Sequence, residues 1–231
     1  MDARGPQGEH QGRVTRKIYW GTKAMTTRLD PAGHDAEKIY RLMTGIVVPR
    51  PIAWVTSLSS SGVLNLAPFS AFTFVSQKPP MLAISVGRKG PIYKDTAHNI
   101  LDTEEYVIHI ADSPLMNAVH ESSAEHPSDV SEVEHLKLET IASEKIKVPR
   151  LAAPPVAMEC RFRQCLEFGE TKSRLIVGEV VMFHIRDGLL NNGKVETAAL
   201  DPIARIGGPR YARLGDIVTL QSVFQTPKST D

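Results

Sequence analysis

Pro49-Arg50-Pro51-Ile52-Ala53-Trp54-Val55-Thr56-Ser57 is the stretch that decides the fold of this chain. From Ile52 onward it is rich in apolar, β-branched and aromatic residues, and a polar turn at 59–62 separates it from Val63-Leu64-Asn65-Leu66. This pattern predicts a β-hairpin. Two more apolar runs, at 71–75 and 81–86, predict two further strands close by. Strands so closely spaced leave no room for crossover helices, so the sequence predicts an antiparallel sheet or barrel.

Helices and longer strands are predicted around this β-rich region. Asp35 is a suitable N-cap for a helix that places Ile39, Leu42 and Met43 on one face and ends near Gly45. The patterns then predict helices at 92–101 and 115–122, a strand at 106–110, and an exposed acidic loop or loose helix at 121–134. A strand at 156–162 should have one face in water. The run 175–185 is apolar on both faces, so we expect the core to bury one face and a partner subunit the other.

Composition indicates an ordinary globular protein. Of the 231 residues, 42% are hydrophobic and 23% are charged, which is typical of a folded core rather than a disordered or membrane chain. We expect a flexible basic N-terminal tail at 1–28, one domain at 29–220 and a short C-terminal tail at 221–231. The two cysteines, Cys160 and Cys165, are expected on opposite faces of a strand and unpaired.

Charge and hydropathy exclude several classes of partner. The net charge is +1, which provides no electrostatic footprint for nucleic acid or an anionic membrane. No apolar run approaches the roughly 18 to 20 residues of a membrane-spanning helix, and no apolar signal segment opens the chain. We therefore expect a cytoplasmic protein with a small-molecule partner.

Several catalytic motifs are absent from the sequence. It contains no Gly-x-Gly-x-x-Gly after a strand, no Walker lysine loop and no Gly-x-Ser-x-Gly elbow, so it matches neither a dinucleotide fold, a nucleoside triphosphatase nor a serine hydrolase. His120, His126 and His135 do not have the spacing of metal ligands on one helix face. We expect no metal site.

Four blocks of sequence carry a family resemblance. They are the opening stretch 49–57, Asn65-Leu66-Ala67-Pro68-Phe69-Ser70-Ala71-Phe72, Pro79-Pro80, and Lys94-Asp95-Thr96 with His98-Asn99-Ile100. In order and spacing these blocks resemble the signature of the flavin reductase-like family, flavoredoxin-like branch. The resemblance continues more weakly through 178–187 and 205–211. It implies a mainly β fold with a few helices, a split β-barrel of Greek-key type, and a homodimer that holds FMN non-covalently at the subunit interface.

The same resemblance implies a set of FMN-binding residues. An FMN phosphate is nearly a dianion and requires charge-assisted donors. The implied phosphate ligands are Lys94 and Thr96, with Arg50 and Arg88. The implied contacts to the rest of the flavin are Thr56, Ser57, Asn65, Ser70 and the backbone of Ala67 and Pro68, with Trp54, Phe69 and Phe72 as apolar walls. For several of these residues a purely structural role stays open: Trp54 and Phe72 as core, Asn65 as a turn residue, Arg50 as a solvated edge residue.

Two functions are compatible with these residues. In the first, NADH or NADPH is a transient donor that reduces FMN, which then reduces free flavin, a partner oxygenase or another acceptor. In the second, the chain is a non-catalytic FMN-binding electron carrier or flavin-sensing module. Some reductases of the wider superfamily have an Asp-His pair associated with nicotinamide handling where this chain has Lys172-Ser173-Arg174. We assign no catalytic residue and expect the protein to act by placing the flavin rather than by acid-base catalysis.

Overall fold

The computed structural model describes residues 26–223, without the side chain of Lys89. The strands are β1 Arg50–Pro51, β2 Ala53–Leu58, β3 Leu64–Phe69, β4 Phe72–Gln77, β5 Pro80–Val86, β6 Arg88–Lys89, β7 Ile92–Tyr93, β8 Glu105–Ile110, β9 Thr140–Ile141, β10 Arg150–Leu151, β11 Val156–Phe168, β12 Ser173–Ile185, β13 Leu190–Asn191, β14 Lys194–Val195, β15 Ala204–Arg205 and β16 Tyr211–Ala212. The helices are α1 Ala36–Ile46, α2 Asp95–Thr103, α3 Met116–Glu121, α4 Glu132–His135 and α5 Thr197–Leu200, with 3-10 turns at Pro31–Gly33 and Ser113–Leu115.

Two units divide the described chain. Residues 26–34 belong to the first, a short unit in which the Asp30 carboxylate accepts the N–H of Ala32 at 3.1 Å and opens the first 3-10 turn. Residues 35–223 belong to the second and contain all the other elements. The predicted tails, 1–28 and 221–231, fall largely outside the described residues, and their boundaries stay predictions. Within residues 26–223, no helix is long and apolar enough to cross a membrane.

A seven-stranded antiparallel sheet organises the second unit. Its strand order is β3-β2-β8-β11-β12-β5-β4, and the edge strands β3 and β4 are joined by only Ser70 and Ala71. That link spans at most about 11 Å, whereas a flat sheet of this width would separate its edges by roughly 29 Å. The sheet must therefore curl so that its edges approach. The prediction of a mainly β antiparallel architecture is confirmed.

Local signals placed most of the elements correctly. Asp35 caps α1, and its carboxylate accepts the N–H of Lys38 at 2.7 Å. The hairpin β2-β3, strands β4, β5 and β8, and the helical region around α3 lie where they were predicted. The helix predicted from Ile92 was placed too early, because Ile92–Tyr93 pairs with Arg88–Lys89 as a short hairpin and α2 starts at Asp95.

The main core lies against one face of the curled sheet. It contains residues from β2, β5, β8, β11 and β12 and is covered by Ala97 and Ile100 of α2. A second cluster contains Trp54 and Leu66 and packs under α3 and α4. Helix α2 is thus fixed by its apolar face, which fixes the position of its N-terminus.

The prediction of a wet face on β11 is wrong for its first half. All five residues Val156–Cys160 are buried, including the carboxylate of Glu159. Glu159 accepts the N–H groups of Glu144 and Lys145, both at 2.7 Å, and His184 Nε2 at 2.6 Å. Desolvation raises the pKa of Glu159, but these hydrogen bonds outweigh it and leave the pKa lowered. A buried carboxylate is tolerated when donors surround it.

Strand β12 has one buried face within this chain, formed by Ile176, Gly178 and Val180, whereas Phe183 is half exposed. Burial of the other face by a partner subunit stays a prediction. The cysteines are free, as expected, but they contact the same core cluster instead of lying on opposite faces. A β-bulge between Phe162 and Gln164 inserts one residue and reverses the alternation.

Candidate functional site

The N-terminus of α2 is the first component of the site. Lys94 is the N-cap residue, Asp95 and Thr96 open the helix, and no side chain caps it. The first N–H groups of a helix carry partial positive charge and attract anions. The Lys94 ammonium adds a full charge and lies 5.6 Å from the centre of the Phe69 ring. The end of this helix is therefore electropositive.

A buried hydrogen-bond network connects this helix to the β2-β3 hairpin. Asn65 Nδ2 donates to Thr96 Oγ1 at 2.9 Å, and Asn99 Nδ2 donates to Ser57 Oγ at 3.1 Å. Ser57, Asn65, Thr96 and Asn99 are all buried. Because Thr96 Oγ1 accepts from Asn65, its own proton is left to donate to another group.

Asn65 and Thr96 of this network border a cavity of about 440 Å³. Three pieces of chain line it: Asn65, Ala67 and Pro68 of β3, the segment 92–96, and the loop 122–128 with Glu132. The strand contributes backbone edges, and Lys94 contributes a positive charge next to the carboxylate of Asp95. The loop contributes hydroxyl groups together with the carboxylates of Glu125 and Glu132.

The segment 121–134, predicted as an exposed loop or loose helix, is mostly exposed at 123–129, but buried residues anchor it at both ends. Trp54 Nε1 donates to Ser122 Oγ at 2.8 Å, Ser131 Oγ donates to the carbonyl of Leu64 at 2.6 Å, and the N–H of Leu66 donates to Glu132 at 2.9 Å. Burial raises the pKa of Glu132 despite this N–H bond. The sequence contained one signal for this order: Ser131 to Glu134 has the spacing of a capping box, and Ser131 does cap α4.

The structure divides the predicted flavin ligands into two groups. Asn65, Ala67, Pro68, Lys94 and Thr96 come together around the cavity. Outside its lining lie Arg50, Thr56, Ser57, Ser70, Phe72 and Arg88. Sequence reasoning did not find the cavity-lining loop residues, among them Ser123, His126 and Ser128, because nothing local shows that this loop folds back on β3.

Arg50 has a structural role in this chain. Its Nη1 donates to the carbonyls of Thr44 and Val47, both at 2.7 Å, and its Nε donates to Ser70 Oγ at 3.1 Å. These bonds satisfy carbonyls at the end of α1, which otherwise lack partners. Arg50 and Ser70 therefore hold each other and the helix end.

The other residues outside the lining also have internal partners. Thr56 is fully buried and donates to the carbonyl of Pro149 at 2.9 Å. Phe72 packs against the main core, and Trp54 is fully buried in the second cluster. Ser57 supports Asn65 and Asn99 from behind the cavity.

Side chains that could bind a metal ion are not grouped together in residues 26–223. In the described part of the chain, no three His, Cys, Asp or Glu side chains are arranged to hold a metal ion. The rings of His126 and His135 lie 5.0 Å apart, whereas His120 contacts Tyr211.

Comparison with known proteins decides the family. The model of the flavin reductase like domain matches residues 43–199. This chain belongs to the flavin reductase-like family. The matched region contains the whole β2-β3 hairpin, the N-terminus of α2 and the loop that closes the cavity.

Several solved structures share the fold of this chain. Nitrilotriacetate monooxygenase component B of Bacillus cereus is 37% identical, with a TM-score of 0.83 over 86% of this chain and 100% of that one. The 2-nitrobenzoate 2-nitroreductase of Pseudomonas fluorescens is 32% identical, with a TM-score of 0.78 over 87% and 99%. A split-barrel protein of Shewanella frigidimarina, 17% identical, has a TM-score of 0.74 over 83% and 96%. The split-barrel prediction is confirmed, and the chain is a flavin-related redox enzyme.

Proposed function

We propose that this flavin reductase-like protein binds FMN non-covalently and uses NADH or NADPH to reduce it. The observation that carries the proposal is the convergence of Lys94, Thr96 and Asn65 on one cavity at the uncapped N-terminus of α2. A phosphate dianion requires a positive charge, hydroxyl and N–H donors in one place. The donor set of this cavity fits that requirement.

The remaining lining fits the other parts of the cofactor. The backbone of Ala67 and Pro68 and the side chain of Asn65 would meet the polar edge of the flavin ring, and the hydroxyl groups of Ser123 and Ser128 would face the ribityl chain. Bound FMN supplies the two-electron chemistry. This chain's residues hold the cofactor, orient it and leave one face open for the donor.

A homodimer belongs to the proposal. Phe74 and Val75 of β4 are 71% and 50% exposed, and Phe168 and Phe183 of the β11-β12 hairpin are 55% and 50% exposed. These large exposed apolar side chains on the β4 edge and on the β11-β12 hairpin favour an interface over free surface. A second copy of this chain would cover them and the open side of β12. A flavin-loaded monomer in sedimentation would contradict this.

The electron acceptor is proposed from one relative. Nitrilotriacetate monooxygenase component B, by its name, is one component of an oxygenase system. We propose that this chain likewise delivers reduced flavin to a partner oxygenase in the cytoplasm. The alternative, a non-catalytic FMN carrier, uses the same cavity and differs only in that no nicotinamide reduces the flavin.

One experiment separates the two functions. The purified protein, reconstituted with FMN, is mixed with NADH and with NADPH without oxygen, and the flavin absorbance is followed by stopped flow. We expect rapid bleaching by at least one donor. FMN that binds but stays oxidised with both donors would leave the carrier and refute the reductase.

Lys94→Ala should lose FMN while the protein stays folded. Loss of a charge-assisted hydrogen bond costs about 1.5 to 3 kcal/mol, or roughly ten- to a hundred-fold in affinity. Fluorescence titration of FMN measures the dissociation constant. Lys194→Ala, which removes an exposed lysine from the β13-β14 hairpin, is the matched control, and Lys94→Arg should retain most of the affinity. Equal affinities of Lys94→Ala and wild type would sink the assignment.

A further inference from the structure

Tyr93 lies between the flavin cavity and two arginines. Its ring lines the cavity, and the guanidinium carbons of Arg174 and Arg88 lie 3.3 Å and 4.5 Å from the ring centre. The Tyr93 hydroxyl donates to the carboxylate of Glu167. One aromatic ring thus holds two positive groups at the rim of the cavity.

The strands determine this arrangement. Arg88 is paired with Tyr93 across the short β6-β7 hairpin, and Arg174 is paired with Glu167 across the β11-β12 hairpin. The Tyr93-Glu167 hydrogen bond joins the two hairpins. The arginines are therefore placed by backbone register as well as by contact with the ring.

The two guanidinium groups have unused donors. Within residues 26–223, the guanidinium group of Arg174 makes no hydrogen bond or ion pair and contacts the Tyr93 ring. Arg88 donates from Nη2 to the carbonyl of Pro91, and its buried Nε has no partner. Stacking on an aromatic ring uses the flat face of a guanidinium and leaves its N–H groups free in the plane. A buried donor without a partner is costly, so an acceptor is expected here.

We propose that Arg174 and Arg88, held by Tyr93, form a second anion site that binds the 2′-phosphate of NADPH. This inference rests on the proposed nicotinamide-dependent reduction of FMN. A phosphomonoester dianion matches two guanidinium forks, and arginine is the residue that commonly accepts this phosphate in other folds. Glu167 accepts the Tyr93 hydroxyl, and the cluster of two arginines, Tyr93 and this one carboxylate has a net positive charge.

The FMN phosphate is the other phosphomonoester that could occupy this site. Lys94, Thr96 and the N-terminus of α2 already supply the donors for that group, and they lie together inside the cavity lining. Arg174 and Arg88 lie behind Tyr93 and outside that lining. The geometry therefore favours a ligand that reaches the rim from outside, as the adenosine end of a dinucleotide would when its nicotinamide meets the flavin.

The first test compares Arg174→Gln with wild type, each loaded with FMN. Anaerobic stopped flow gives the second-order rate constant for reduction by NADPH and by NADH. The wild type should prefer NADPH, and Arg174→Gln should lower the NADPH-to-NADH ratio about ten-fold or more. Arg210→Gln, which removes an exposed arginine elsewhere, should keep the ratio. A ratio unchanged by Arg174→Gln, or a loss confined to FMN affinity, overturns the proposal.

The second test needs no turnover. Calorimetry of the FMN-loaded protein with 2′,5′-ADP and with 5′-AMP measures recognition of the 2′-phosphate directly. Tighter binding of 2′,5′-ADP that weakens in Arg174→Gln and recovers in Arg174→Lys supports the site. Equal binding of the two nucleotides to wild type overturns it. If neither nicotinamide reduces the flavin, the proposed function fails, while this binding result still decides the anion site.

Discussion

Gly178→Ala should destabilise the protein by about 3 kcal/mol or more, the upper range for overpacking in a core. Gly178 on β12 lies under the buried ring of Tyr106, and an added Cβ would overlap the Tyr106 hydroxyl oxygen and lie 2.8 Å from Cζ. Tyr106 has no solvent exposure, so its ring can shift only by displacing the close-packed atoms of the core. For a chain of this length the melting temperature should fall by roughly 6 to 12 °C, measurable by calorimetry or circular dichroism.

Two further variants test whether the overlap with Tyr106 causes the loss of stability. Gly178→Ala combined with Tyr106→Phe removes the overlapping hydroxyl group, which has no hydrogen-bond partner in the described structure, and should recover part of the loss. Gly45→Ala in α1, where an added Cβ meets nothing within 4 Å, should be neutral or stabilising by about 0.5 to 1 kcal/mol. A Gly178→Ala protein as stable as wild type would show that the Tyr106 ring shifts at little cost and is not tightly packed against Gly178.

The same close contact illustrates what the sequence could predict. The Gly178-Glu-Val block was recognised as a pattern, but its reason is a long-range one: Tyr106 is 72 positions earlier in the chain and reaches Gly178 only through the strand order of the sheet. The hairpin around Trp54 and the strand at 106–110 were predictable because alternation and turn residues are local signals.

Much of the candidate site could also be predicted from local sequence. Lys94, Asp95 and Thr96 follow a short strand and start a helix, and their chemistry is read directly from the residue types. The loop 122–132 could not be predicted in the same way, because its order depends on the N–H of Leu66 and the carbonyl of Leu64, some 66 residues away. An acidic loop has the same composition whether it lies in water or on a strand.

The burial of the charged residue Glu159 also could not be predicted from local sequence. Alternation of apolar and charged residues predicted a wet face, which is the usual place for a carboxylate. Instead, hydrogen bonds from two backbone N–H groups of the 144–145 segment and from the His184 ring offset the cost of burying this carboxylate. The two N–H donors come from a loop and His184 comes from β12, and their meeting with Glu159 is a property of the tertiary fold alone.

His109 is a buried imidazole whose two nitrogens have fixed roles. Nδ1 contacts the carbonyl of Trp54 at 2.9 Å and must carry the proton to donate there, while Nε2 accepts the N–H of Leu151 at 2.9 Å. The neutral ring alone satisfies both contacts, since a protonated ring has two donors and no acceptor. Burial lowers the pKa of His109 from 6.5 to about 4, and this exceeds the opposing effect of the Trp54 carbonyl.

Stability should therefore fall by about 2 kcal/mol as the pH drops from 7.5 to 5. Between the folded pKa of about 4 and the unfolded value of 6.5, the unfolded chain binds a proton at this position and the folded chain does not. The stabilisation is complete above pH 6.5 and is lost as the pH falls toward 4. Urea unfolding at each pH measures it.

Glu159 and Glu132 do not produce the same loss of stability between pH 7.5 and 5. The lowered pKa of Glu159 adds stability that is lost only below about 4.5, and the raised pKa of Glu132 acts in the opposite direction, because its protonation favours the folded state. The dependence between pH 7.5 and 5 should thus become shallower in His109→Gln, even though that variant starts less stable. Nuclear magnetic resonance of the wild type gives an independent answer: the His109 ring should stay neutral until the pH approaches 4. Two results would refute the neutral, hydrogen-bonded state of His109. They are protonation of its ring near pH 6.5 and, in His109→Gln, a pH dependence of the unfolding free energy equal to that of wild type.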